Sequence, residues 1–173
     1  YLYQCDPESC LGSLGFTSAS WIEKQWEQAE NEEVPSSYEE PDIYEIGVDL
    51  PAGEYVLIQD DADQSGYFSV TYSAPGSGGA TFANGVVLNR SIVTVKDYFY
   101  LTTERCTIYP IEEAPAVDTS SGVLSSGMYL VGTDIPAGTY TLRPAEGKTG
   151  LVSIESDSLH RLNSVLDTQR FDS

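Results

Sequence analysis

The run Asp61-Ala62-Asp63-Gln64-Ser65-Gly66 sets oxygen-bearing side chains at alternate positions and glycine at the sixth. That is the opening half of a calcium-binding loop. Asp61, Asp63 and Ser65 are the candidate ligands and calcium the candidate cofactor; no other cofactor is implied. Position twelve is Tyr72, where a bidentate glutamate belongs, so an acidic hairpin turn is the competing reading. Cys5 and Cys10 are close enough to close a small disulfide loop in an oxidising compartment. Cys106 lies in an apolar run and reads as a buried thiol. His160 is the single histidine, which leaves a structural zinc site short of ligands. The same shortage, with no Gly-x-Ser-x-Gly elbow, leaves a Ser-His-Asp triad unsupported, and the expectation is a protein that is not an enzyme. Tyr67, Tyr72, Tyr98 and Tyr100, among twelve tyrosines, alternate along apolar runs. A coplanar exposed pair of them would make a platform for sugar rings.

What must position these residues is a stretch written twice. Asp49-Leu50-Pro51-Ala52-Gly53-Glu54-Tyr55 returns as Asp134-Ile135-Pro136-Ala137-Gly138-Thr139-Tyr140, 85 residues on. Such a repeat sets the architecture before any local motif does. Pro51 and Pro136 fix φ at a turn corner, and Gly53 and Gly138 supply a left-handed or tightly packed position. Asp49 and Asp134 can cap nearby amides, and the tyrosine opens the next strand. Downstream, Gly150-Leu151-Val152-Ser153-Ile154 matches Gly66-Tyr67-Phe68-Ser69-Val70. The match stops where a counterpart of Ile92-Val93-Thr94-Val95 would begin.

The stretch Gly127 to Tyr140 resembles a repeat common in secreted and cell-surface proteins of Gram-positive bacteria, with the form Gly-x-Tyr-x-Val-Gly-x-Asp-Ile-Pro-Ala-Gly-x-Tyr. A closing segment like Val93 to Leu101 usually follows. The resemblance covers roughly 44–111 and 127–173. It implies an extracytoplasmic β-rich module, secreted or at the cell surface, from a family whose function is largely unassigned.

The remaining signals complete the layout. Ser20-Trp21-Ile22-Glu23 has the spacing of a capping box, and Ile22, Trp26 and Ala29 continue at helical spacing until Pro35 approaches. From Tyr44 on, runs such as Tyr55 to Ile58, Tyr67 to Tyr72, Ile92 to Val95, Tyr98 to Thr103 and Cys106 to Ile111 are rich in β-branched and aromatic residues. Turn residues punctuate them at Asp60 to Gly66, Ala74 to Gly79 and Asn84-Gly85. The expected class is mainly β: two related small antiparallel β-sandwich-like units with an N-terminal α-helix. Residues 1–43 are an N-terminal strand, acidic helix and linker; 44–111 the first unit; 112–126 a connector; 127–173 a second unit incomplete at its C-terminus.

Charge narrows the partners. The 173 residues carry 27 acids against 8 Lys and Arg, a formal charge of -19. That balance repels phosphate backbones and anionic lipid, so nucleic acid and membrane surfaces are poor partners for it, and no nucleic acid and no membrane span are expected. No run approaches the roughly 20 apolar residues of a membrane-spanning helix. The expected function is a non-catalytic structural or adhesive module, partnered by another protein or by itself through edge strands, with a carbohydrate-binding module as the alternative. Tyr1, Leu2 and Tyr3, which resemble Tyr98 to Leu101, are the candidate exchanged strand.

Overall fold

The computed structural model describes residues 42–144 and 146–172. The expected N-terminal helix, the Cys5–Cys10 loop and the Tyr1–Tyr3 strand lie outside them. Among the described residues the chain is mainly β, in antiparallel sheets. Strands β1 (Asp42–Glu45), β2 (Gly53–Gln59), β3 (Gly66–Thr71), β4 (Thr81–Val87), β5 (Arg90–Val95), β6 (Tyr100–Glu104) and β7 (Cys106–Pro110) form the first repeat. Strands β8 (Thr149–Glu155) and β9 (Val165–Asp172) belong to the second. One sheet runs β1-β6-β3-β4 and a second β5-β2-β7, while β8 and β9 pair only with each other.

The first seven strands share one core. Along β3, Phe68 and Val70 are buried while Tyr67, Ser69 and Thr71 are half-buried, the period-2 pattern of a strand with one face inward. Phe68, Val70, Val87 and Leu101 from the four-stranded sheet meet Tyr55, Leu57, Val93 and Val95 from the three-stranded one. Val56 and Ile92, opposite each other in the β2–β5 register, are fully buried on the other face. Their continuous burial explains why β2 and β5 read as unbroken apolar runs.

Two sequence expectations are corrected. Asn84-Gly85 is not a turn but the middle of β4, with Gly85 opposite Phe68. A Cβ there would stand 2.7 Å from the Phe68 ring, so glycine marks a close approach and not a bend. Tyr140-Thr141-Leu142, aligned with β2, forms no strand. A strand needs a neighbour for its backbone groups. β2 has β5 and β7 beside it, and residues 139–143 have no equivalent among the described residues.

Candidate functional site

The repeated stretch folds into the same corner twice. The Glu45 carbonyl accepts the amides of Val48 and Asp49, at 3.1 and 2.8 Å, and the Leu130 carbonyl accepts those of Thr133 and Asp134, at 3.3 and 2.8 Å. The Gly47 amide donates to Leu50 O at 2.7 Å, and Gly132 to Ile135 O at 2.6 Å. The carboxylate cap is repeated too: Asp49 Oδ2 takes the Glu45 amide at 2.8 Å, and Asp134 Oδ2 the Leu130 amide at 2.9 Å. Tyr55 donates its hydroxyl to Pro51 O, and Tyr140 to Pro136 O. The left-handed residues are Gly47 (φ +94°) and Gly132 (φ +96°), not the expected Gly53 and Gly138. The three-residue turn after Glu45 or Leu130 sets that position, and Gly53 has only an ordinary contact with Tyr55.

The hairpins repeat as well. Tyr67↔Val86, Phe68↔Gly85 and Val70↔Ala83 have counterparts in Leu151↔Arg170, Val152↔Gln169 and Ile154↔Asp167. Even the register shift between Val70 and Thr71 returns between Ile154 and Glu155.

The surroundings of the two copies differ. In the first, Ile46, Tyr55, Leu57 and Val70 are 1%, 3%, 0% and 0% exposed. Their counterparts Val131, Tyr140, Leu142 and Ile154 are 66%, 45%, 46% and 58% exposed. The reason is topological. In the first repeat β5 and β7 flank β2, β6 flanks β3, and the Phe99 carbonyl and Tyr98 amide close onto Ile46. No described residue takes those places around the second copy. Its corner and hairpin therefore expose side chains of core type, and among the described residues no strand lies on the edge of β8 away from β9 at Val152 to Ile154.

The second copy is nevertheless anchored. Met128 N donates to Arg90 O at 3.0 Å, Thr94 N donates to Ser158 O at 2.9 Å, and His160 Nε2 sits 2.7 Å from Ile92 O. These contacts use backbone groups along the edge of β5 that faces away from β2, so one repeat caps a bare edge of the other. Arg90, buried, pairs with Asp134 at 3.3 Å and lies 5.7 Å from the centre of the Tyr129 ring. The Tyr129 hydroxyl donates to Ser125 O and accepts from Asn89 Nδ2. Ser158 donates to Glu54 and exchanges a 2.6 Å bond with Thr94 Oγ1.

His160 is half-buried, its ring centre 4.9 Å from that of Phe68. Its Nε2 faces a carbonyl and Ser158 Oγ turns to Glu54, so the two side chains do not form a nucleophile–base pair. Asp157, the third potential member, accepts from Ser164 Oγ and the Leu159 amide; these bonds hold its carboxyl below the usual range.

The other candidates are dispersed. Asp61 Oδ1 takes the Asp63 amide and Oδ2 the Gln64 side chain, the bonding of a hairpin turn, while Ser65 O accepts from Arg105. Among the described residues no three His, Cys, Asp or Glu side chains are grouped to hold a metal ion. Of the tyrosines, Tyr98 is exposed at a φ of 70°, and Tyr67 and Tyr100 are half-buried. Burial and the neighbouring Glu45 push the Tyr100 hydroxyl up. Tyr72 packs against Phe82 and Phe99 with ring planes crossed at 89° and 74°, an edge-on cluster instead of a flat platform. Cys106 is buried, as expected, and burial pushes its thiol up to about 11.

Sequence reasoning misses the anchor around Arg90. Its one available signal is a cation at the start of an apolar strand in a strongly acidic chain. Comparison with family models, curated proteins and solved structures returned no match.

Proposed function

We propose that this chain is a non-catalytic structural or adhesive module of a secreted or cell-surface bacterial protein, and that it associates through its second repeat. One observation carries the reading. Val131, Tyr140, Leu142 and Ile154 stand exposed in the second copy, at the places that the buried Ile46, Tyr55, Leu57 and Val70 hold in the first. Covering a Val, Leu or Ile side chain fully contributes about 1.5–3 kcal/mol, so a partner fitting this surface gains several such increments together with paired backbone groups. The location outside the cell rests on the resemblance of Gly127 to Tyr140 to a Gram-positive surface repeat and on the acidity. The crossed rings around Tyr72 weigh against the sugar-platform alternative.

The test is adhesion of chain-coated beads to Gram-positive cells and to one another. Leu142→Lys and Ile154→Lys are expected to abolish most of the adhesion, and Tyr98→Ala to leave it intact. Adhesion that survives both lysine changes, or is lost with Tyr98→Ala and competed by free sugar, would overturn the reading.

A further inference from the structure

The first repeat specifies what would cover the second. β6 lies on β3 with Val70 opposite Leu101, Ser69 opposite Thr102 and Phe68 opposite Thr103. The equivalent edge of β8 carries Ile154, Ser153 and Val152 in the same hairpin register, bulge included. β5 lies on β2 with Tyr55 opposite Val93 and Leu57 opposite Ser91, and Tyr140 and Leu142 hold those places in the second copy. The Phe99 carbonyl and Tyr98 amide, which close on Ile46, belong to the β5–β6 loop, and their counterpart would close on Val131. One continuous segment, Arg90 to Pro110, makes every one of these contacts in the first repeat.

From this equivalence we infer that the second repeat is a docking site for a polypeptide segment of the Arg90–Pro110 type. Such a segment pairs antiparallel with β8, placing its Leu101-like residue opposite Ile154, and lays its first strand along residues 139–143. Charge favours this occupant over a second copy of the chain. The segment holds Arg90, Lys96 and Arg105 against Asp97 and Glu104, a net +1, whereas another copy brings a further -19. The inference rests on the association reading above and adds to it the identity and register of the partner strand.

The probe is a synthetic peptide with the sequence Arg90 to Pro110, titrated into the full chain and followed by fluorescence anisotropy, with sedimentation velocity on the chain alone. The peptide is expected to bind, and to slow exchange of β8 amides on the side away from β9. A peptide carrying Leu101→Asp is expected to bind about tenfold more weakly or worse, because a carboxylate then faces Ile154. The chain variant Ile154→Lys alters an exposed side chain, keeps its circular dichroism, and loses the peptide. Equal binding of both peptides, or of the peptide to the Ile154→Lys chain, overturns the inference. Self-association that Ile154→Lys dissolves, without peptide binding, overturns it in favour of a second copy and leaves the association reading standing. Absence of both peptide binding and self-association overturns the inference, and adhesion lost in the bead assay as well overturns both.

Discussion

Asp49→Ala and Asp134→Ala remove the same residue from the same corner, yet their consequences differ. Each aspartate caps one amide, Glu45 N or Leu130 N. Loss of that charge-assisted bond costs roughly 1 kcal/mol. Asp134 does more than cap, because its carboxylate also neutralises Arg90, with side chains 13% and 7% exposed. Removing one partner of a fully buried pair costs about 3–5 kcal/mol. Residual solvent at Asp134 lowers this to about 2–3 kcal/mol for the ion pair. Asp134→Ala is therefore expected to destabilise the chain by about 2–3 kcal/mol more than Asp49→Ala. Urea unfolding at pH 7, followed by circular dichroism, reads this as a midpoint lower by about 1–2 M. A double-mutant cycle with Arg90→Met isolates the pair from the cap. Equal losses for the two alanine variants, or a coupling below about 0.5 kcal/mol, would refute the claim that this ion pair joins the repeats.

Four further outcomes follow from the same structure. Cys106, buried and shifted to about 11, should resist iodoacetamide at pH 8 in a Cys5→Ser, Cys10→Ser background and react once the chain unfolds. Because its folded value is raised, the stabilisation is complete below the ordinary thiol value and is lost as pH rises through about 11, which alkaline unfolding curves of Cys106→Ala against the parent would expose. Asp157 has the opposite sign: its lowered carboxyl stabilises the docked loop above the ordinary carboxylate range and ceases to as pH falls through the folded value. Carbon-13 NMR should show Ser164→Ala returning that titration toward normal, and an unmoved midpoint would discard the Ser164 hydroxyl as the main cause. Gly85→Ala, which drives a methyl into the buried Phe68 ring, should cost about 1–3 kcal/mol in thermal or urea unfolding, and a neutral result would show that the ring has room to shift.

The corners are legible in the sequence because their bonds are local: Asp49 to Glu45 and Tyr55 to Pro51 each span four residues. Residue type and order therefore carry most of the information. The left-handed position falls on Gly47 and not on Gly53 because the turn closes before Pro51, a detail set by backbone bonds that composition does not record. Gly85 misleads for the complementary reason: asparagine before glycine signals a turn locally, while a phenylalanine from the neighbouring strand demands the missing side chain. Tyr140-Thr141-Leu142 has the strand propensity of β2 without flanking strands among the described residues, and propensity alone does not hold an extended segment. The anchor depends on contacts such as His160 with Ile92 and Arg90 with Asp134, far apart in the chain and invisible to any periodicity.

The measurement that bears most directly on the second repeat is residue-resolved hydrogen exchange of the chain alone, at dilute concentration, comparing β3 with β8. The two strands share sequence pattern, hairpin register and bulge, and differ, among the described residues, in whether a strand lies on the second edge. If the second repeat is an unfilled docking site, β8 amides facing away from β9 exchange orders of magnitude faster than their β3 equivalents facing β6. Equal protection of β8 and β3 in the isolated, monomeric chain would contradict it.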